Sequence, residues 1–516
     1  MSMATAKKSK HTVEFGDFQT PIGLARDACR LLGRRKVSPA SIIEPTCGTG
    51  NFLFAALDQF ADARTAVGLD INALYVNAAT VALRDRPYAS KCRIMCESFF
   101  AANWPELLRD LPEPMLVIGN PPWVTNADLG ALGSSNLPRK SNFQRRNGFD
   151  AITGKSNFDI SEWMLIRILE WLDGQNATMA MLCKTSVARK VLVHAWKNQM
   201  GLKNAYVHRI DAPQYFGATV DACFLVCCMS PSIHGNDCPV YESLSGTKPA
   251  HTFGYRDGQL IADVVLYERW KHLQGNAGYK WRSGVKHDCT KVMELRKEGT
   301  RYRNGLAELV ELEDEYLFPM LKSSDLANGS KGRPARLMLV TQKAIGDDTI
   351  SIKHLAPKTW AYLLKHAESL DRRASSIYKN RPRFSVFGVG PYSFAPWKVA
   401  ISGFYKQLGF KIVGGTDGKP VMLDDTSYFV PCGSKREAQY VASLLNSGIA
   451  KEFFEAFTFW DAKRPITVEL LDRLDLLALA RELGTEATMS QYLSETPEPR
   501  KKRASSRTVQ GELFPA

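Results

Sequence analysis

The chain has no apolar run that approaches the roughly 20 residues of a membrane span, because charged residues interrupt every hydrophobic stretch well before that length. The basic start, residues 1–13, has no apolar segment behind it, so the sequence reads as a protein neither exported nor anchored, expected in a bacterial cytoplasm beside the nucleoid. CxxC pairs are absent as well. The 11 cysteines are scattered, and Cys92, Cys96, Cys223, Cys227 and Cys228 lie in apolar, strand-like stretches without nearby histidines. That excludes the usual zinc-ligand spacing and suits reduced, buried thiols. No internal repeat is visible, which removes solenoids and propellers. Acidic residues are in deficit: 53 Asp and Glu face 67 Lys and Arg, and a formal charge of +14 favours a polyanionic partner. Part of that excess sits in Arg500-Lys501-Lys502-Arg503, within a Pro- and Ser-rich stretch (495–516) that reads as a basic disordered tail.

With 45% hydrophobic residues over 516 positions, two or more domains can each bury a core. From about 38 to 230, short apolar runs alternate with amphipathic stretches, the mark of a doubly wound, mostly parallel α/β domain. Strands are expected near Ser41–Ile43, Ala66–Asp70, Arg93–Cys96, Met115–Gly119, Thr178–Cys183 and Ala222–Met229, and the clearest helix over Asp159–Trp171. Beyond about 240 the periodicity loosens and aromatic residues, Gly/Pro turns and basic residues interleave, predicting a second, mixed α+β domain over 240–490 after a first domain over 14–235. Within it, Lys411–Leu423 reads as a hairpin turning at Asp417-Gly418, and 436–456 and 467–483 read as helical.

Asn120-Pro121-Pro122-Trp123 follows the apolar run Met115–Gly119 and has the chemistry to methylate an amino group. An exocyclic amine on a nucleobase is a poor nucleophile, since its lone pair is delocalised into the ring. The Asn120 side-chain carbonyl and the Pro121 main-chain carbonyl can accept both of its N–H bonds and draw the nitrogen towards a tetrahedral shape. Tandem prolines fix φ and remove backbone donors, which stiffens the turn. Trp123 then offers a face on which a base can stack, worth about 1–3 kcal/mol.

Upstream, Glu44-Pro45-Thr46-Cys47-Gly48-Thr49-Gly50 follows the first strand and opens the first helix, where an open α/β sheet binds its ligand. Gly48 and Gly50 allow close backbone approach. Asp70, ending the next strand before Ile71, has the offset at which a carboxylate meets ribose hydroxyls; Glu97, ending the third strand before Ser98, can accept from an adenine amino group. No lysine completes a phosphate loop. An acidic, lysine-free pocket suits ribose, adenine and a positively charged sulfonium, which points to S-adenosyl-L-methionine.

With Phe18-Gln19-Thr20-Pro21 ahead of these elements, the chain resembles the gamma-class N6-adenine DNA methyltransferases of bacterial restriction–modification systems, over roughly residues 14–230. The resemblance implies a class I S-adenosylmethionine-dependent methyltransferase fold with a C-terminal target-recognition domain. It places Thr20 and Glu44 at the methionine end of the cofactor, Asp70 on its ribose and Glu97 on its adenine. It also implies that Asn120, Pro121 and Trp123 hold an adenine flipped out of duplex DNA, with Phe216 of Tyr215-Phe216-Gly217 on the base's other side; a separately encoded restriction endonuclease is a candidate partner that the sequence leaves open. Trp123 stands where many members have Tyr or Phe, and Glu97 where Asp is common.

Residues 124–157, rich in Gly, Ser and Asn, carry Arg139, Lys140, Arg145, Arg146 and Lys155 and are expected to lie along the DNA backbone. In the second domain, Trp281, Lys286, Arg381, Arg383, Lys463 and Arg464 mix cations with aromatic neighbours and are expected to face DNA. Related turns serve enzymes acting on RNA bases or protein amides, but those generally lack a large following domain. Asn before the prolines favours adenine N6 over cytosine N4.

Overall fold

The computed structural model describes residues 19–124, 159–276, 278–329 and 334–495. They form two compact units: the described residues up to Glu268 together with Glu455–Ala462, and Arg269–Phe454 together with those from Lys463 onward.

A ten-stranded sheet organises the first unit. Its strands are β1 (Ser41–Glu44), β2 (Thr65–Asp70), β3 (Cys92–Cys96), β4 (Met115–Gly119), β5 (Ala177–Lys184), β6 (Leu202–Ile210), β7 (Ala222–Met229), β8 (Asp237–Tyr241), β9 (His251–Arg256) and β10 (Gln259–Ile261). They lie in the order β10-β9-β8-β6-β7-β5-β4-β1-β2-β3. Strands β3 to β5 across the centre are parallel, and β7 runs antiparallel to both β5 and β6. The seven strands β3-β2-β1-β4-β5-β7-β6 have the topology expected of a class I methyltransferase. All six expected strands are present; β6 escaped the sequence reading because its polar Lys203, Asn204, His208 and Arg209 interrupt the apolar pattern.

Helices cover both faces of this sheet: α1 (Ile22–Arg34), α2 (Asn51–Gln59), α3 (Ala73–Arg84), α4 (Trp104–Arg109), α5 (Ile160–Leu172), α6 (Thr185–Lys197) and α7 (Ala212–Phe216). Alternation along the strands decides which residues go to which face. Ile42, Ala66, Leu116, Ile118 and Leu182 pack with α1, α2 and α3, while Ile43, Val67, Val117, Met179 and Met181 pack with α5 and α6.

The first unit does not end near residue 235. β8, β9 and β10 extend the same sheet, and Glu455–Ala462 returns to it: the Ala262 and Asp263 N–H groups donate to the Ala456 carbonyl at 2.7 and 3.1 Å. Arg189 on α6 makes a two-armed ion pair with Asp461 at 3.0 and 2.6 Å. Phe459 and Trp460, the aromatic neighbours in sequence of Lys463 and Arg464, therefore belong to the first unit. Added edge strands and a returning segment leave no local signature, which is why composition misplaced the boundary.

His208 on β6 is fully buried between Arg35 and Ser243. Its Nδ1–H donates to the Ser243 carbonyl at 3.0 Å, and its Nε2 accepts from the Arg35 guanidinium at 3.0 Å, so the ring is held neutral. Burial pushes its pKa down from 6.5 to about 4, and the Arg35 charge adds to that shift. The unfolded chain then binds the proton first as pH falls, and this contribution, present above 6.5, is lost through the window down to about 4. Stability is expected to drop by an order of about 3 kcal/mol across that window. Urea unfolding of wild type and His208→Gln at several pH values checks this; parallel pH slopes would refute it.

The second unit is α+β, as expected. It has a four-stranded sheet, β11 (Arg282–Ser283), β20 (Ser427–Cys432), β17 (Trp397–Ser402) and β18 (Lys411–Gly414), in that order. A six-stranded sheet contains β12 (Glu294–Glu298), β13 (Arg301–Asn304), β14 (Leu309–Val310), β15 (Leu317–Leu321), β16 (Arg336–Leu339) and β19 (Met422–Leu423). The expected hairpin over Lys411–Leu423 is corrected in part. Asp417 and Gly418 do turn with positive φ (52° and 75°), and Thr416 bridges Lys419. The flanking strands, however, join different sheets, β18 pairing with β17 and β19 with β15. The helical stretches are each split in two, Lys435–Leu445 with Gly448–Glu455 and Val468–Leu471 with Leu476–Glu482. The tail and the N-terminal arm lie outside the described residues.

Candidate active site

β1 and β4 are neighbours from which the chain proceeds to opposite sides of the sheet, so the loops at their C-terminal ends part and leave a crevice. A cleft of about 850 Å³, partly open to solvent, fills it. Thr20, Glu44, Pro45, Thr46, Gly48, Asp70, Ile71, Glu97, Asn120 and Pro122 all line this cleft. The Gly-rich turn after β1 and the proline turn after β4 thus open into one space.

Glu44, at the end of β1, is 3% exposed. The Leu53 N–H donates to its Oε2 at 2.8 Å, but burial dominates and, with the nearby Asp70 charge, raises its pKa well above the ordinary carboxylate value. Among the described residues no lysine or arginine offsets that cost. A buried acid aimed at a cleft and lacking a cation is a receptor for one. Gly48 has φ +51°, and a Cβ there would fall 2.7 Å from the Gln19 Oε1, so only glycine leaves the turn its shape. The Asp70 carboxylate accepts from the Gly48 N–H through Oδ2 and from the Asn72 N–H through Oδ1, each at 2.8 Å. These two main-chain bonds fix the direction of the carboxylate. Helix α3 is capped by Asn72, whose Oδ1 accepts from Leu74 N–H at 3.0 Å. Glu97, half-buried at the end of β3, is fixed by its N–H bond to the Asp70 carbonyl at 3.0 Å. The Asn51 amide donates to the Thr20 carbonyl at 2.9 Å and ties the segment before α1 to the turn.

Gly50, Ser98, Pro121 and Trp123 do not line the cleft. Gly50 caps α2 at φ 85°, and the Ser98 hydroxyl accepts from the Phe100 N–H at 3.2 Å. Trp123 is 6% exposed, and its indole N–H donates to the Leu182 carbonyl at 3.4 Å. The Phe216 ring stands edge-on to it, 5.2 Å between centroids, so the two aromatic residues expected on opposite sides of the target base pack on each other instead, with no gap for a base between them. The sequence reading missed Gln19, Asn51, Phe52, Tyr75, Phe99, Phe100 and Met164 in the lining. Phe99-Phe100, directly after Glu97-Ser98, could have been found from their place at a strand end; Met164 comes from α5 and gave no local sign. Cys47 also lines the cleft, but burial and the Glu44 charge push its thiol pKa far up, so it stays protonated.

β5 outruns β4. Gly119 pairs with Met181, and Leu182, Cys183 and Lys184 continue beside the proline turn. The Lys184 ammonium donates to the Trp123 carbonyl at 3.2 Å and pairs with Asp159 at 2.6 Å.

Arg139, Lys140, Arg145 and Arg146 lie outside the described residues. Trp281 cannot face DNA: it is 2% exposed and packs against Phe410. Its cationic neighbours suggested a surface, but adjacent residues of an extended chain point opposite ways, and here the indole points inward. Lys286 lies 3.6 Å from Asp288. Arg381, Arg383, Lys463 and Arg464 are exposed, with Arg383 paired to Asp371 at 2.7 Å and Arg464 over the Phe404 ring at 4.5 Å. Among the described residues no group of three or more His, Cys, Asp or Glu is placed to hold a metal, and no helix is long and apolar enough to cross a membrane.

The Type II methyltransferase M.NspV of Nostoc sp. (strain ATCC 29411 / PCC 7524) is 45% identical to this chain over 476 residues, covering 92% of this chain and 98% of that protein. The chain belongs to the Type II methyltransferases. It is thus a restriction–modification DNA methyltransferase. No family model matches the chain. Among solved structures, the Type IIL restriction-modification enzyme MmeI in complex with DNA aligns over 92% of this chain and 68% of its own, with TM-score 0.49 and 13% identity. The type I restriction enzyme EcoKI M protein aligns over 44% and 48%, with TM-score 0.31 and 15% identity. The sequence relative alone carries the assignment. The cleft of this Type II methyltransferase fits S-adenosyl-L-methionine: Glu44 would supply a buried carboxylate for its ammonium, Gly48 a cradle for close approach, and Asp70 a carboxylate near its ribose.

Proposed function

We propose that this methyltransferase modifies the N6 amino group of adenine in duplex DNA at a specific site. The observation that carries the reading is that Asn120 and Pro122 open into the same cleft as Glu44, Asp70 and Glu97. Bound there, S-adenosyl-L-methionine supplies an electrophilic methyl group on a positively charged sulfur. Thr20 and Glu44 hold the methionine end, Asp70 the ribose and Glu97 the adenine. An adenine inside the duplex cannot reach this cleft, so the target base is flipped out. The Asn120 side-chain carbonyl and the Pro121 carbonyl accept its two amino hydrogens, and Trp123 with Phe216 packs behind the turn. Alignment and polarisation by fixed dipoles supply the acceleration. The amino proton passes to water afterwards, since no basic side chain is needed before transfer.

The second unit serves as the target-recognition domain, with Lys286, Arg381, Arg383, Lys463 and Arg464 meeting phosphates or base edges. The methylation protects host DNA from a separately encoded endonuclease. Incubation with labelled S-adenosyl-L-methionine and unmethylated bacterial DNA, followed by digestion to nucleosides, tests the reading. N6-methyladenine is the expected product; N4-methylcytosine would change the base, and transfer only to RNA or protein would overturn the substrate class.

A further inference from the structure

The proline turn is anchored at both ends, and the second anchor is a charged one. Asn120 follows β4 directly and takes its place from the sheet. Three residues on, the Trp123 carbonyl accepts from the Lys184 ammonium at 3.2 Å, and the same ammonium pairs with Asp159 at 2.6 Å. Asp159 is itself held. It caps α5 through Oδ1, which accepts the Ser161 N–H at 3.1 Å and the Ser161 hydroxyl, leaving Oδ2 for the lysine. The next residue's N–H, that of Ile160, donates to the Val124 carbonyl at 2.9 Å. Asp159 is 8% exposed and the Lys184 side chain 22%, so the pair works where water screens it little.

We infer that Lys184, oriented by Asp159, is a positioning residue that sets the height of the Asn120–Trp123 turn over the cleft. Pro121 and Pro122 have fixed φ and no N–H, so little freedom separates the Trp123 peptide from Asn120. A displacement at the Trp123 carbonyl therefore passes to the Asn120 amide and the Pro121 carbonyl, the two acceptors required for the amine. Main-chain bonding between β4 and β5 ends at Gly119 and Met181. Beyond that point Lys184 takes over from the ladder. Leu182 fixes the indole from the same strand by accepting its N–H. Lys184 touches neither the cleft lining nor the proposed substrate atoms, and its effect is on geometry.

This inference rests on the proposed role of the turn, and the experiment separates the two. Lys184→Met keeps the length of the side chain and removes the ammonium; Asp159→Asn keeps the Ser161 cap and removes the charge. Single-turnover methyl transfer to duplex DNA is compared with cofactor and DNA dissociation constants and with the thermal midpoint. The expected result is a transfer rate about 10- to 100-fold lower in both variants, the scale of a roughly 1 Å misalignment, with both dissociation constants within about twofold of wild type. A folded variant of either kind that transfers within about twofold of wild type overturns the inference, as does a rate loss matched by an equal loss of cofactor binding. If Lys184→Met does not fold, Asp159→Asn decides alone. Asn120→Ala run alongside distinguishes the failures: its retaining activity would remove the proposed role of the turn, whereas an inactive Asn120→Ala beside a fully active Lys184→Met would remove only the role of Lys184.

Discussion

Asn120→Ala is expected to lower the rate of methyl transfer to DNA by about a thousandfold or more while leaving S-adenosyl-L-methionine affinity within about threefold. The side chain lies at the C-terminal end of β4, where the cleft that receives Glu44 and Asp70 from β1 and β2 also receives Asn120 and Pro122. In the proposed reaction its amide oxygen would accept from the target amine, whose charge builds as the new N–C bond forms, and so would act in the transition state more than in the ground state. The proposed cofactor residues Glu44, Asp70 and Glu97 stand at the ends of other strands, so binding is expected to survive. Gln at this position would keep the chemical group but lengthen the arm. Asn120→Gln is therefore expected to recover little activity, in keeping with a requirement for position as well as polarity. Cofactor affinity by calorimetry beside single-turnover transfer checks both statements. A variant that lost cofactor and rate in equal measure would move Asn120 from catalysis to cofactor binding.

Glu44→Gln is expected to weaken cofactor binding by about 100-fold, the loss for removing one member of a buried charge pair, and at the same time to stabilise the cofactor-free protein. The two effects have one origin. Burial raises the Glu44 pKa well above 4.5, so the folded protein holds this proton more tightly than the unfolded chain does. The apoprotein therefore loses stability as pH rises from 4.5 through the raised folded value, and Gln removes that slope. When the cofactor ammonium arrives, the carboxylate ionises against it and a proton is released, so affinity rises with pH across the same window. Calorimetry in two buffers of different ionisation enthalpy measures that proton directly. Release in wild type that disappears in Glu44→Gln is the expected pattern; an unchanged dissociation constant in the variant would show that Glu44 is not the receptor for the ammonium. The neutral variant keeps an oxygen for the Leu53 N–H, so the backbone of α2 is not disturbed.

Where residues neighbour each other in sequence, the sequence by itself determined a good deal about this protein. Strand-length runs ending in Glu44, Asp70, Glu97 and Asn120 located four strand ends, most plainly for β1 and β4, which are buried on both faces and apolar up to their ends. The turn chemistry of Gly48 and Pro121-Pro122 placed ligand-facing loops after two of them, and ten of the expected site residues line one cleft. Only the tertiary structure decided the rest. Trp281 reads as part of a basic, aromatic surface, yet packing turns it inward. Lys411–Leu423 reads as one hairpin, yet its arms pair with different sheets, because hydrogen-bond partners far away in sequence compete with the local ones. Lys184 and Asp159 carry no motif at all, and their meeting at the Trp123 carbonyl follows from β5 outrunning β4 and from where α5 begins. Local periodicity encodes which face of an element is apolar; which elements become neighbours depends on contacts between distant residues, and a single sequence does not write those down.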